Sequence, residues 1–347
     1  MFKRAFLTLL ATAALATAAC SPAIPAPPAG AGAASDDPKA GWPALLTLGL
    51  FGGDDAEAVI EGNKPVADRI QKVTGIPVKL FTGTSYTAVI EAMRAKRVDG
   101  MQVGPFSYLL AVQEAGAEAL GIAVTTRATA AVYDASIRPS YFSVISVKKG
   151  RNKITSLQDL KGHSLNYVDP ASTSGHLVPK TELIKAGIDP DKDLKTVFAG
   201  SHPTSAIALW NGKSDAAAST EATLYNLAQN KQIEFCGFPD GEVGKDRSKA
   251  ELKVLYDACP DGKIAMLFMS PPIPNTPFAV RSDLPATLKA KIREALLTTK
   301  DDPEFIATAK RWYLDPSKEA GLPNLDQYYN PLRDIAKTLN LDLKTLE

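Results

Sequence analysis

Cysteine and histidine are scarce, with three of each in 347 residues. No two of them stand at a spacing that bound zinc would use, so neither a metal centre nor a metal cofactor is expected. Charge of one sign is also lacking: 39 basic side chains oppose 38 acidic ones. Without a basic run to follow phosphates, nucleic acid is excluded as a partner, and any bound anion has to be held by a few aimed donors. Past the N-terminus no apolar run is long enough to cross a bilayer. Enzyme signatures are missing too. Ser, His and Asp residues invite a hydrolase reading, yet there is no G-x-S-x-G elbow and no Walker lysine motif. The expectation is a protein that is not an enzyme and carries no cofactor.

What is present begins with an export pattern. Lys3 and Arg4 precede an apolar run from Phe6 to Leu15, and Ala16 to Ala19 lead to Cys20. That order makes residues 1–20 a signal peptide. Cys20 stands where a lipoprotein carries its lipid. Thr17 occupies a position where such sites prefer an aliphatic residue, so cleavage after Ala18 or Ala19 without lipidation remains the alternative. Residues 21–40, rich in Pro, Ala and Gly, cannot bury enough surface to fold and read as a flexible tether. The rest exceeds what one core usually serves and suits two domains. In an oxidising compartment the remaining cysteines, Cys236 and Cys259, pair as a disulfide. It restrains what reads as a mobile excursion from Gly237 to Ala258.

Short apolar or β-branched runs alternate with helical patterns, the mark of an α/β fold. In the first block strands are expected at Leu45–Leu50, Pro77–Phe81, Asp99–Val103 and Gly121–Thr126. Helices follow the Gly52–Asp55 turn, the Thr84/Ser85 cap and the Gly104–Pro105 turn. A second block has strands at Tyr141–Val147, Ser164–Val168, Leu194–Ala199 and Asp215–Ala218, with helices at Ser156–Gly162, Gly175–Ala186 and Thr204–Trp210. The run Ser270–Pro277 breaks regular structure, Phe278–Arg281 is one more strand, and everything after Leu284 reads as helical. Residues 41–139 with 278–347 form the first expected lobe and 140–277 the second. Two crossing strands join them, and the ligand lies between.

The stretch Asp169-Pro170-Ala171-Ser172-Thr173-Ser174-Gly175-His176 lies between a strand and a helix. Three successive hydroxyls at a helix start place side-chain donors beside free backbone N–H groups, which suits an anion without any basic residue. An ordinary N-cap needs only one hydroxyl. Ser85 and Tyr86 have the same placement in the first block and could face the same ligand, or serve as a plain cap and a surface tyrosine. His202, ahead of another helix, could donate to an oxyanion or finish a loop. Glu221, just past a strand, could receive a ligand ammonium or a protonated oxygen, or be a solvated carboxylate.

On these residues the sequence resembles the phosphonate/phosphite-binding family of periplasmic proteins. The matching pieces are Tyr86–Met93, Val103–Tyr108, Tyr141–Val144, Ser156–Gly162, Asp169–Gly175, Gly200–His202 and Ile273–Asn275. The resemblance implies a two-lobed fold of type II topology in the periplasm, delivering a small oxyanion to the permease and ATPase of an ABC importer. It implies a monomer that touches the membrane only through a lipid anchor. It further implies that Tyr86 and Tyr141 line the cleft, with Tyr108 and Ser85 nearby. Ser172, Thr173, Ser174 and His202 hold phosphorus-bound oxygens, and Glu221 serves the amine of an aminoethylphosphonate-like ligand. The family often has Asp where Thr276 stands, so one of two expected carboxylates is missing. Rival readings are a phosphate or sulfonate binder on this scaffold, a periplasmic phosphoester hydrolase, and a sensory module.

Overall fold

A computed structural model describes residues 37–53, 55–125, 132–239 and 244–339. The expected signal peptide, Cys20, most of the tether and Asp54 lie outside the described residues. The chain divides after Ala40, and everything below concerns the unit Gly41–Glu347.

That unit opens as the alternation requires. Strand β1 (Leu46–Phe51) leads to helix α1 (Ala56–Thr74), which Asp55 caps by accepting from Ala58 N–H and Gly75 ends in the left-handed conformation. Strand β2 (Val78–Gly83), helix α2 (Tyr86–Arg94), strand β3 (Gly100–Gln102), helix α3 (Pro105–Ala115) and strand β4 (Ala117–Thr125) follow. The chain then crosses through β5 (Ser140–Tyr141) into β6 (Ser143–Lys148), β7 (Ser164–Tyr167), α4 (Val178–Lys185), the short α5 (Pro190–Asp193), β8 (Lys195–Phe198) and α6 (His202–Trp210). Next come β9 (Ala216–Thr220), α7 (Glu221–Gln229), β10 (Phe235–Cys236), α8 (Lys249–Ala258) and β11 (Ile264–Met269). It returns through β12 (Ile273–Pro274) to β13 (Pro277–Arg281), α9 (Ala286–Leu297), α10 (Pro303–Ala309), β14 (Arg311–Leu314) and α11 (Asn330–Thr338).

These strands form two six-stranded sheets, ordered β14-β4-β13-β3-β1-β2 and β10-β11-β6-β9-β7-β8. Strands β1, β2 and β3 run parallel, whereas β13 enters antiparallel between β3 and β4 after its excursion through the other sheet. The second sheet likewise has parallel β7–β8 and β7–β9 pairs with β6 antiparallel to β9. Between the sheets β5 and β12 cross side by side, Tyr141 opposite Ile273. This is the two-lobed type II architecture. Helices cover the sheets, as α/β sheets require, and each side has its own core. Ile70, Leu288 and Ile292 belong to one, Val89, Met93 and Phe106 to another, and Leu165 and Leu183 to a third in the second lobe. Each such side chain contributes about 1.5–3 kcal/mol by leaving water.

Several expectations need correction. The chain after Leu284 is not all helical: Arg311–Leu314 forms β14, paired antiparallel with β4. Lys310 ends α10 in the left-handed conformation, and the following Trp312 and Tyr313 are both fully buried, one on each face of the sheet edge. The expected strand Tyr141–Val147 is two, because Phe142 separates the crossing pair from the second sheet. Within the Pro-rich run, Ile273 and Pro274 supply β12, an edge position that proline tolerates. The stretch between the cysteines contains α8, started by a capping box in which Ser248 and Glu251 satisfy each other's backbone N–H groups. Cys236 and Cys259 are disulfide-bonded, tying β10 to the end of α8. Elements α7, β10 and β11 had no expected counterpart: α7 and β10 are short with weak periodicity, and the continuous apolar run of β11 has no alternation to mark it as a strand.

Candidate functional site

Between the sheets lies a cavity of about 1030 Å³. Helix starts contribute to its wall from both lobes. Tyr86 opens α2, Gly104 caps α3, His202 opens α6 and Thr220 caps α7, and all four line it. Ser172 caps a wide turn, Thr173–Leu177, that runs directly into α4. Helix starts present unpaired N–H groups and partial positive charge, so five of them around one cavity favour an anion.

The hydroxyl cluster is fixed by its own backbone bonds. Ser172 Oγ accepts from Gly175 N–H at 3.1 Å, and Thr173 Oγ1 accepts from Phe106 N–H at 2.8 Å. Because each oxygen is an acceptor in these bonds, each hydroxyl proton is left to point elsewhere. Ser143 Oγ donates to Ser174 O at 2.7 Å and Ser107 Oγ donates to Ala171 O at 2.7 Å, which holds the stretch from both sides. The turn is of the i→i+5 kind, with Leu177 N–H donating to Ser172 O and Val178 N–H to Thr173 O. Gly175 makes it possible: a Cβ there would lie 2.4 Å from Val168. Asp169 braces the approach, accepting from Ala171 N–H at 2.8 Å and from the Tyr86 backbone N–H across the cleft. Burial raises its pKa while those two bonds lower it.

Tyr86 hydrogen-bonds the Ser172 side chain, and burial raises its phenol well above the usual range. Tyr141, on the crossing strand, is pushed up to about 12 by burial and hydrogen-bonds Ser174 and Thr173. Both phenols therefore stay protonated and can donate. His202 lines the cavity, but its Nδ1 is shut away from solvent and has no hydrogen-bond partner among the described residues. Burial lowers its pKa to about 4, so the imidazole is neutral near pH 7 and offers one N–H and one acceptor.

The sequence candidates thus divide. Tyr86, Tyr141, Ser172, Thr173, Ser174, His202 and Thr276 all stand on the cavity wall. Tyr108 does not: it is buried beside Tyr329, and its hydroxyl donates to Asp326 at 2.7 Å. Ser85 is the plain cap of α2, accepting from Ala88 N–H at 3.0 Å, and lies off the wall. Glu221 is buried just behind the wall, its Oε2 accepting from Gly244 N–H at 3.3 Å. Its neighbours Thr220 and Ala222 face the cavity instead. Gln102, Asn275, Tyr225, Lys310 and Arg311 also line the cavity, and the sequence reading passed over them. Tyr225 comes from the middle of α7 and the others from the ends of β3, β12, α10 and β14, whose meeting no local pattern announces. Among the described residues the wall carries no carboxylate, and no cluster of metal-ligating side chains is found.

A two-lobed α/β scaffold closing hydroxyls, amides and a neutral imidazole around one cavity defines a solute-binding protein. The chain belongs to the family described as "ABC transporter, phosphonate, periplasmic substrate-binding protein", whose model matches residues 49–321. Members of that family are extracytoplasmic binding proteins and not enzymes. The "Phosphate-import protein PhnD" of Mycolicibacterium smegmatis (strain ATCC 700084 / mc(2)155) is 32% identical over 194 residues, covering 52% of this chain and 58% of that protein's length. The "Phosphonates-binding periplasmic protein" of Escherichia coli (strain K12) is 26% identical over 295 residues, 84% of this chain and 75% of that protein. Among solved structures, a binding protein component of an ABC phosphonate transporter from Pseudomonas aeruginosa superposes with a TM-score of 0.62 at 24% identity, covering 84% of this chain and 85% of the other. PhnD1 of Prochlorococcus marinus (MIT 9301), in complex with methylphosphonate, also gives 0.62 at 18% identity, covering 88% of this chain and all of that one. These two likenesses concern the fold.

Proposed function

We propose that this protein captures a phosphonate or phosphite in the interlobe cavity and hands it to the permease and ATPase of an ABC importer, acting as a monomer. The observation that carries the reading is the meeting of five helix starts, three adjacent hydroxyls and a neutral His202 on a wall without carboxylates among the described residues. A tetrahedral oxyanion accepts hydrogen bonds in several directions, and neutral donors hold it without burying a counter-charge. In this reading Ser172, Thr173, Ser174 and His202 bind the phosphorus-bound oxygens, Tyr86 and Tyr141 close the sides, and Thr276 stands toward the fourth substituent. The chain works outside the cytoplasm, and lipid on Cys20 would tether it to the membrane.

An aminoethylphosphonate-like ligand fits less well than one without an amine. Thr276 is neutral, and Glu221 stands behind the wall rather than on it. Phosphate is the second reading, favoured by the name of the Mycolicibacterium relative. Phosphate must place a P–OH where a phosphonate places carbon. That hydroxyl would need an acceptor among neutral groups such as Asn275 and Thr276.

Isothermal titration of ligand-stripped protein against methylphosphonate, phosphite, phosphate, aminoethylphosphonate and taurine tests this. One-to-one binding of methylphosphonate or phosphite, tighter than phosphate, is the expected outcome. Tighter phosphate binding would establish the second reading. Heat only with taurine would assign the scaffold to sulfonates and end the phosphorus reading.

A further inference from the structure

The cavity is much larger than a phosphorus oxyanion requires. Its volume of about 1030 Å³ would hold roughly thirty waters at about 30 Å³ each, whereas phosphite or methylphosphonate has four or five heavy atoms. The anchor hydroxyls occupy one part of it, since Thr173 receives Phe106 N–H just beyond the end of β3. Arg311 opens β14, which lies three strands from β3 in the order β14-β4-β13-β3. With strands about 4.8 Å apart, the two positions are separated by roughly 14 Å across the sheet.

The far part is cationic and uncompensated. Arg311 is held by neutral oxygens: Nε donates to Ala309 O at 3.2 Å, Nη1 to Asn63 Oδ1 at 3.1 Å and Nη2 to Gly62 O at 3.2 Å. Elsewhere Arg69, Arg281, Arg293 and Arg333 each face an aspartate. Lys310 stands next to Arg311 on the wall, and among the described residues neither is paired with a carboxylate. A guanidinium oriented by neutral acceptors, with its charge left over, is prepared for an anion. The wall they share also carries apolar side chains, Phe51, Val59, Ala123 and Ile137, interspersed with neutral polar ones such as Gln102, Thr125 and Thr276.

We propose that the preferred ligand is a phosphonate or phosphate monoester with an extended organic substituent. That substituent runs along the uncharged part of the wall and ends in a second anionic group at Lys310 and Arg311. This rests on the phosphorus-anchor reading above and adds the class of substituent.

The test titrates the full chain with methylphosphonate, hexylphosphonate, 6-phosphonohexanoate and the phosphate monoester of 6-hydroxyhexanoate. The 6-phosphonohexanoate should bind at least tenfold tighter than hexylphosphonate of the same carbon count. In Lys310→Gln that ratio should fall toward one, and Arg311→Gln, checked for an unchanged melt, should lower it further. Comparison of the two acid-ended ligands tells phosphonate from ester. Equal binding of hexylphosphonate and 6-phosphonohexanoate overturns the proposal, and so does a ratio that survives both substitutions. Failure of every phosphorus compound, methylphosphonate included, defeats the anchor reading and this one with it, whereas methylphosphonate binding without acid preference defeats this one alone.

Discussion

Thr173 Oγ1, carried by the loop after β7 of the second sheet, accepts a hydrogen bond from Phe106 N–H at the start of α3 beside the first sheet, at 2.8 Å. One oxygen thereby ties a donor of one lobe to the hydroxyl cluster of the other. Ala171, Leu177 and Val178 of the same loop and turn pack into the core around Phe106 and Leu109. The anchor is therefore rooted in both lobes.

Thr173→Val keeps the shape and removes both roles of the hydroxyl. A hydrogen bond to a charged group contributes about 1.5–3 kcal/mol, so affinity for methylphosphonate should drop roughly ten- to hundredfold by titration. The melting temperature should fall by only a few degrees, because one buried N–H of Phe106 loses its acceptor. Unchanged affinity would remove Thr173 from the site.

His202 gives a pH signature. Its folded pKa of about 4 lies below the ordinary 6.5, so between those values the unfolded chain binds more protons than the folded one. Stability is full above about pH 6.5 and is lost as pH falls toward 4, by about 2–3 kcal/mol. Thermal melts of ligand-free protein at pH 7 and pH 5 should show this loss, and His202→Gln should show less of it. An equal loss in the variant would rule out His202 as its source.

Thr276→Asp places a carboxylate on the wall where the native residue is neutral. Aminoethylphosphonate should gain about tenfold, or about 1.4 kcal/mol, relative to methylphosphonate. A ratio of affinities that stays constant would show that position 276 does not face the ligand's substituent.

Gly175 permits the turn that holds the hydroxyls. A methyl group at 2.4 Å from Val168 cannot be absorbed without moving the backbone, so Gly175→Ala should cost more than about 2 kcal/mol in denaturant unfolding. It should also weaken ligand binding. Wild-type stability together with wild-type affinity would contradict the turn geometry.

The Cys236–Cys259 disulfide closes a loop with a sequence separation of 23. Cys236→Ser with Cys259→Ser should lower stability by about 2–4 kcal/mol. Thiol titration of denatured protein should find these two cysteines only after reduction. Two free thiols without reductant would refute the bond in the isolated protein.

Local signals carried much of this. The turn before α1, the Ser85 cap, the start of the short helix at Ser156 and the hydroxyl triplet before a helix are all readable within a few residues, because turns and caps are chemistry between near neighbours. Strand β14 was not readable, as its aromatic run follows a helix and becomes a strand only by pairing with β4. Tyr108 was expected near the ligand, yet Asp326, more than two hundred residues away, takes its hydroxyl into the core. Glu221 was legible as an acid beside a strand, but not the side of α7 it would choose.

By itself the sequence determined the α/β class, the alternation of elements, the absence of catalytic and metal motifs, and a hydroxyl cluster suited to an oxyanion. Each follows from composition or from contacts over a few residues. Only the tertiary structure decided that five helix starts meet around one cavity, that no carboxylate among the described residues reaches its wall, and that Lys310 and Arg311 share it with Thr173. Those relationships join residues from both lobes and from opposite ends of the chain, and sheet pairing sets them, with no trace in local sequence.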